Sequence, residues 1–149
     1  MGVCGAVHSD PSSLTPAQRE VLAISDTLIA ELFAADTVMI GVPMYNFSLP
    51  WTLKAWIDQV VRIGKTFAYD ANSLQGLFAG KKIVIITSRG GSYAAGSPRA
   101  QADFQEPYMR HILGFIRARG VTFIHAENQR PGGELAAPSR PRRWSKFTR

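Results

Sequence analysis

The chain has 149 residues, a formal net charge of +6, 46% hydrophobic residues and a mean hydropathy of −0.03. That size gives one domain with a real core, and no run approaches the ~20 apolar residues of a membrane span. A lone cysteine, Cys4, excludes an intrachain disulfide framework and fits a reducing cytoplasm, while His8, His111 and His125 are too scattered to bind a metal.

In chain order, Met1 to Ser13 has no long β-branched run and no secretory pattern. Thr15 then reads as an N-cap and Pro16 as the first residue of an amphipathic helix ending near Ala35, with Val21, Leu22, Ile24, Leu28, Ile29, Leu32 and Phe33 at helical spacing. Thr37 to Val42 is a short β-branched run that stops at Pro43, as a buried strand does at its carboxyl edge. The loop Pro43-Met44-Tyr45-Asn46-Phe47 offers a thioether, two rings and a carboxamide. In open α/β sheets ligands bind beyond the carboxyl ends of strands, and this loop suits a flat heteroaromatic ring or else packs back on the core.

Pro50 to Ile63 predicts a second helix with Gly64 as C-cap, and Lys65 to Leu77 is a connection too apolar to be free. Lys82 to Thr87 is another strand pattern, running into Ser88-Arg89-Gly90-Gly91-Ser92, where paired glycines let backbone N–H groups approach a ligand or simply form a turn. The polar stretch Ser92 to Ala102 suits a mobile lid. A helix from about Phe104 to Ala118 and a strand from Val121 to Ala126 follow. Five of the six net charges fall in Pro138 to Arg149 (Arg140, Arg142, Arg143, Lys146 and Arg149), which leaves residues 1–137 near neutral. The predicted division is therefore a domain over 1–137 and a basic, disordered tail over 138–149, with Pro138 and Pro141 breaking any helix.

Four motifs taken together, Pro43-Met44-Tyr45-Asn46-Phe47, Leu53-Lys54-Ala55-Trp56-Ile57-Asp58, Gly64-Lys65-Thr66-Phe67 and Ser88-Arg89-Gly90-Gly91, resemble the FMN-dependent NADH-azoreductases. These are flavodoxin-like enzymes related to the NAD(P)H:quinone oxidoreductases, and the similarity runs from about Leu14 to about Glu134. The resemblance implies an α/β, flavodoxin-like three-layer sandwich with a parallel sheet. It implies that Pro43, Met44, Tyr45, Asn46 and Phe47 hold one side of FMN, and Ser88, Arg89, Gly90 and Gly91 the other. Arg89 would set positive charge beside the reduced cofactor. It further implies a cytoplasmic homodimer in which Tyr69 and Phe115 of the second subunit roof the substrate pocket.

The implied function is transfer of hydride from NADH through the flavin to quinones or azo compounds. No catalytic side chain is required, protons coming from Tyr93, His111 or water, and no membrane or nucleic-acid partner is expected. The first strand, phosphate loop, first helix and second strand of such a fold find no counterpart here. Ser12 and Ser13 read as capping residues, so no phosphate-binding residue is assigned. A 2-1-3-4-5 sheet reduced in this way leaves its third strand as an edge open to pairing. The competing expectation is a truncated, non-catalytic relative with weak or no flavin binding, acting as a dimerisation or binding module.

Overall fold

A computed structural model describes residues 13–70 and 73–130. The elements in chain order are α1 (Pro16–Ala34), β1 (Thr37–Pro43), α2 (Trp51–Val60), β2 (Phe67–Tyr69), β3 (Leu74–Gly76), β4 (Lys82–Ser88), α3 (Gln105–Phe115) and β5 (Gly120–Ala126). The predicted start of α1 is present as a capping box. The Thr15 hydroxyl accepts from the Gln18 N–H, and the Gln18 side chain accepts from the Thr15 N–H. The buried stripe of α1 is Ser25, Ile29 and Leu32, whereas Ile24, expected on that face, is exposed. Ser25 is tolerated inside because its hydroxyl donates to the Gln59 carbonyl.

Strands β1, β4 and β5 form a parallel sheet in that order, with Pro43 opposite Ser88 and Ser88 opposite Ala126. Parallel strands joined by returning helices are what alternating β and α patterns predict. Side chains alternate across a strand. Val38, Ile40 and Val42 of β1, Ile83 and Ile85 of β4, and Val121 and Phe123 of β5 therefore share one face. All three helices pack there, through Ile29, Leu32, Ile57, Val60, Met109 and Leu113. On the opposite face Met39 and Ile124 are exposed, and among the described residues no helix covers it. The described part is thus two of the three expected layers. Among these residues β1 pairs only with β4, so it is an edge strand as expected.

Several boundaries differ from the sequence expectation. Helix α2 stops at Val60 instead of Ile63 because Thr66 competes for its last turn: the buried hydroxyl donates to the Val60 carbonyl and accepts from the Arg62 N–H. Gly64 is consequently not the C-cap. It sits at φ +74 in the following turn, where its N–H donates to the Phe67 carbonyl. The Lys65–Leu77 connection contains an antiparallel hairpin, β2 with β3. Helix α3 ends at Phe115, and Arg117 at φ +71 turns the chain into β5. Met1 to Ser12 and residues 131–149, including the boundary placed at 137/138 and the basic tail, lie outside the described residues.

Candidate functional site

The two ligand-ready loops meet. They leave adjacent strands at the same level, and the Met44 N–H donates to the Ser88 carbonyl across the gap. The first loop is a tight hairpin turn. Tyr45 and Ser48 exchange both backbone hydrogen bonds around Asn46 at φ +48 and Phe47 at φ +69. A two-residue turn of this hand matches strand twist but needs positive φ at both central positions. Asn accepts that conformation, whereas Phe47 is held there at an energetic cost. The outcome is that Tyr45, Asn46 and Phe47 all face solvent, while Pro43 and Met44 are half-buried.

The second loop alternates. Ser88 and Gly90 are exposed, and Arg89 and Gly91 are buried. A side chain added at Gly90 would meet only the Arg130 Cβ, at 3.9 Å, so its outer surface is open. At Gly91 an added Cβ would come within 2.9 Å of a guanidinium nitrogen of Arg99, the flexible end of an exposed side chain lying against this glycine. The loop is strapped from below by the chain after β5: the Arg89 N–H donates to the Ala126 carbonyl and the Gln129 N–H to the Arg89 carbonyl.

Arg89 does not present the free positive charge expected of it. Its side chain is 1% exposed, bonded to Asp103 at 2.8 Å and 3.8 Å from Glu127. Two carboxylates thus lie around this one guanidinium. The Ser92–Ala102 stretch is likewise less free than a lid. Glu127 accepts from the Ser92 hydroxyl and the Tyr93 N–H, and Ser97 Oγ donates to the Ser92 carbonyl. Tyr93 stands edge-on to Phe47, with ring centroids 6.3 Å apart. Helix α3 is fixed against the first loop, since the Gln105 amide donates to the Pro43 carbonyl and the Phe104 N–H to the Phe47 carbonyl.

Asp103, Gln105 and Glu127 were missed from sequence. For Asp103 a signal existed: Asp103-x-x-Glu106 has the spacing of a helix N-terminus.

Tyr69 and Phe115 are not part of this cluster in the same chain. The loops lie beyond the carboxyl ends of the strands, whereas α2 and α3 run back to the amino edge and deliver β2 and Phe115 there. Phe67, between them, packs on Phe115 with centroids 4.8 Å apart and on Tyr69 at 5.7 Å. Tyr69 is 65% exposed at this end.

The loops combine exposed aromatic surface, an exposed carboxamide and an open glycine backbone. Among the described residues no cluster of His, Cys, Asp and Glu could hold a metal, and no helix is long and apolar enough to cross a membrane.

Comparison with known proteins agrees with the fold. A family model described as a flavodoxin-like fold matches residues 4–147. FMN-dependent NADH:quinone oxidoreductase 2 of Trichormus variabilis is 55% identical over 135 residues, covering 90% of this chain and 65% of its own length. The FMN-dependent NADH:quinone oxidoreductase of Hyphomonas neptunium is 56% identical over 126 residues, covering 83% and 60%. The crystal structure of azoreductase from Bacillus anthracis superposes with a TM-score of 0.73 at 31% identity, over 78% of this chain and 55% of that one. The chain thus spans a little under two thirds of the length of these curated relatives.

Proposed function

We propose that this chain, which belongs to the flavodoxin-like fold family, is an FMN-dependent reductase that moves reducing equivalents from NADH to quinones or azo compounds. The observation that carries the reading is the junction of the two loops, Met44 N–H to Ser88 carbonyl, at the carboxyl edge of adjacent parallel strands. Bound there, FMN would supply the redox chemistry that links NADH to the acceptor.

The chain's own groups bind and orient. Tyr45 and Phe47 give stacking and apolar surface to a flat ring and exclude water from it. The Asn46 carboxamide, turned outward by its left-handed φ, meets polar groups at the ring edge. The exposed Gly90 lets main-chain N–H groups approach an acceptor oxygen with no side chain intervening. Stabilisation of negative charge in the reduced state is assigned to those N–H groups in place of the Arg89 side chain, which is already paired.

The proposal includes a homodimer in a reducing cytoplasm. Tyr69 and Phe115 stand at the far end of the sheet, so they serve a pocket only in another copy, the arrangement expected of a second subunit's roof.

The test is an FMN titration followed by flavin fluorescence, with NADH oxidation by a quinone and size-exclusion chromatography alongside. Expected are saturable quenching at one FMN per chain, a dimer, and quinone-dependent NADH consumption. Asn46→Ala with Gly90→Val should remain folded and lose the flavin. Flavin retained in that double variant sinks the site assignment. A wild-type chain that never binds FMN supports the non-catalytic alternative.

A further inference from the structure

We infer that Asp103 is the positioning residue that joins the two ring-binding loops, acting through Arg89 on one and through the start of α3 on the other. The inference rests on the flavin reading above for its purpose, but not for its geometry.

Both oxygens of this carboxylate are used. Oδ2 accepts from the buried Arg89 guanidinium at 2.8 Å, which holds that side chain beneath the Ser88–Gly91 turn. Oδ1 accepts from the N–H groups of Gln105 at 2.9 Å and Glu106 at 3.0 Å, satisfying donors that a helix start leaves open. The segment so fixed grips the first loop at Pro43 and Phe47. One carboxylate, with its side chain 9% exposed, thereby ties the outer parts of the two loops together, beyond the Met44 N–H to Ser88 carbonyl bond at their roots. Glu127 completes the clamp by holding Ser92 and Tyr93 at the other end of the strap.

The arginine itself acts from behind the site. Its Nε and Nη2, and Oε1 of Gln105, are buried without a partner among the described residues and have no surface through which to touch a ligand. A buried charged cluster with unpaired donors is a poor device for stability alone, since apolar groups of similar volume usually serve as well or better. What the cluster fixes is the turn: Arg89 pointing inward turns Gly90 outward. Asp103 carries one negative formal charge behind the ring site, so it bears on the redox balance as well as on geometry.

Three readouts test this. Trypsin cleavage at the exposed Arg99, on the strap between Ser92 and Asp103, needs no cofactor. Asp103→Ala should accelerate it at least tenfold and weaken FMN binding at least tenfold. Asp103→Asn keeps one oxygen for the α3 N–H groups but turns an NH2 toward the Arg89 guanidinium, so it cuts the arm to Arg89 alone. Cleavage and FMN affinity should each change at least threefold but less than in Asp103→Ala, and the midpoint potential of bound FMN should rise because a negative charge is removed. Cleavage in Asp103→Ala within twofold of wild type overturns the clamp, and an unchanged potential in Asp103→Asn overturns its electrostatic role. If Asp103→Ala does not fold, Asp103→Asn decides: cleavage and FMN affinity both within twofold of wild type overturn the geometric account. Failure of the wild type to bind FMN refutes the function proposed above and leaves proteolysis to judge the clamp.

Discussion

Replacing Thr66 by Val tests why α2 ends where it does. The substitution preserves shape and removes one hydroxyl. Thr66 is fully buried, and its Oγ1 accepts from the Arg62 N–H at 2.9 Å and donates to the Val60 carbonyl at 2.8 Å. In the Val variant the Arg62 N–H loses this acceptor and the Val60 carbonyl this donor, at a position that is fully buried. A buried polar group left unpaired costs roughly 1–3 kcal/mol, and a carbonyl with its second lone pair sits at the low end. The sum is about 2–3 kcal/mol. Thr66→Ser keeps both hydrogen bonds and deletes one methyl, worth about 0.8 kcal/mol. Urea unfolding of wild type and both variants, compared at common m-value, gives the three stabilities. The reasoning predicts Val well below Ser. Thr66→Val within about 0.5 kcal/mol of wild type, or more stable than Thr66→Ser, refutes the account of the helix end.

Three further perturbations follow from the same geometry. Phe47→Gly relieves a non-glycine residue at φ +69, so stability in urea should hold or rise by up to about 1 kcal/mol while FMN affinity falls at least tenfold; a clear loss of stability would show that the turn is unstrained. Gly76→Ala places a Cβ 2.5 Å from the Ile116 carbonyl carbon and 2.6 Å from the Arg117 nitrogen, and backbone cannot yield as a side chain does. A loss of about 1–3 kcal/mol is expected in thermal or urea unfolding, and a neutral result would contradict the close packing of β3 on the end of α3. Burial raises the pKa of Asp26, but hydrogen bonds and attraction from Arg62 and Lys65 outweigh it and hold the carboxyl below its ordinary 3.8. A lowered folded-state pKa gives stability that is present above 3.8 and lost as pH falls through the folded value. Asp26 is half-exposed, so Asp26→Asn should lower stability at pH 7 by about 1 kcal/mol or less, and the two proteins should converge in acid. A gap that is constant with pH would remove Asp26 from the account.

The parts legible in sequence were those written in strong local patterns. Thr15-Pro16 marked the start of α1, and runs ending at Pro43 and Ser88 marked two strands whose following loops became the candidate site. The hairpin of β2 and β3 was illegible because strands of three residues carry no measurable alternation, and its register depends on Gly76 meeting the end of α3. The end of α2 was misread for a similar reason, since the group that stops it, Thr66, lies six residues beyond Val60 and acts through its side chain. The inward turn of Arg89 was also hidden. Its partners are 14 and 38 positions away in sequence, and only folding brings Asp103 and Glu127 beneath it.

Phe115 and Tyr69 stand at one end of the sheet and the Asn46 loop at the other, a separation with a consequence for mixed assemblies. In the proposed dimer each pocket draws its floor from one polypeptide and its roof from its neighbour. A chain damaged only at Asn46 still lends a sound Tyr69, and a chain damaged only at Tyr69 still keeps a sound Asn46. Co-expressed, two such inactive chains would rebuild one complete pocket in every mixed pair, so loss in either could be complemented by the other within the same cell.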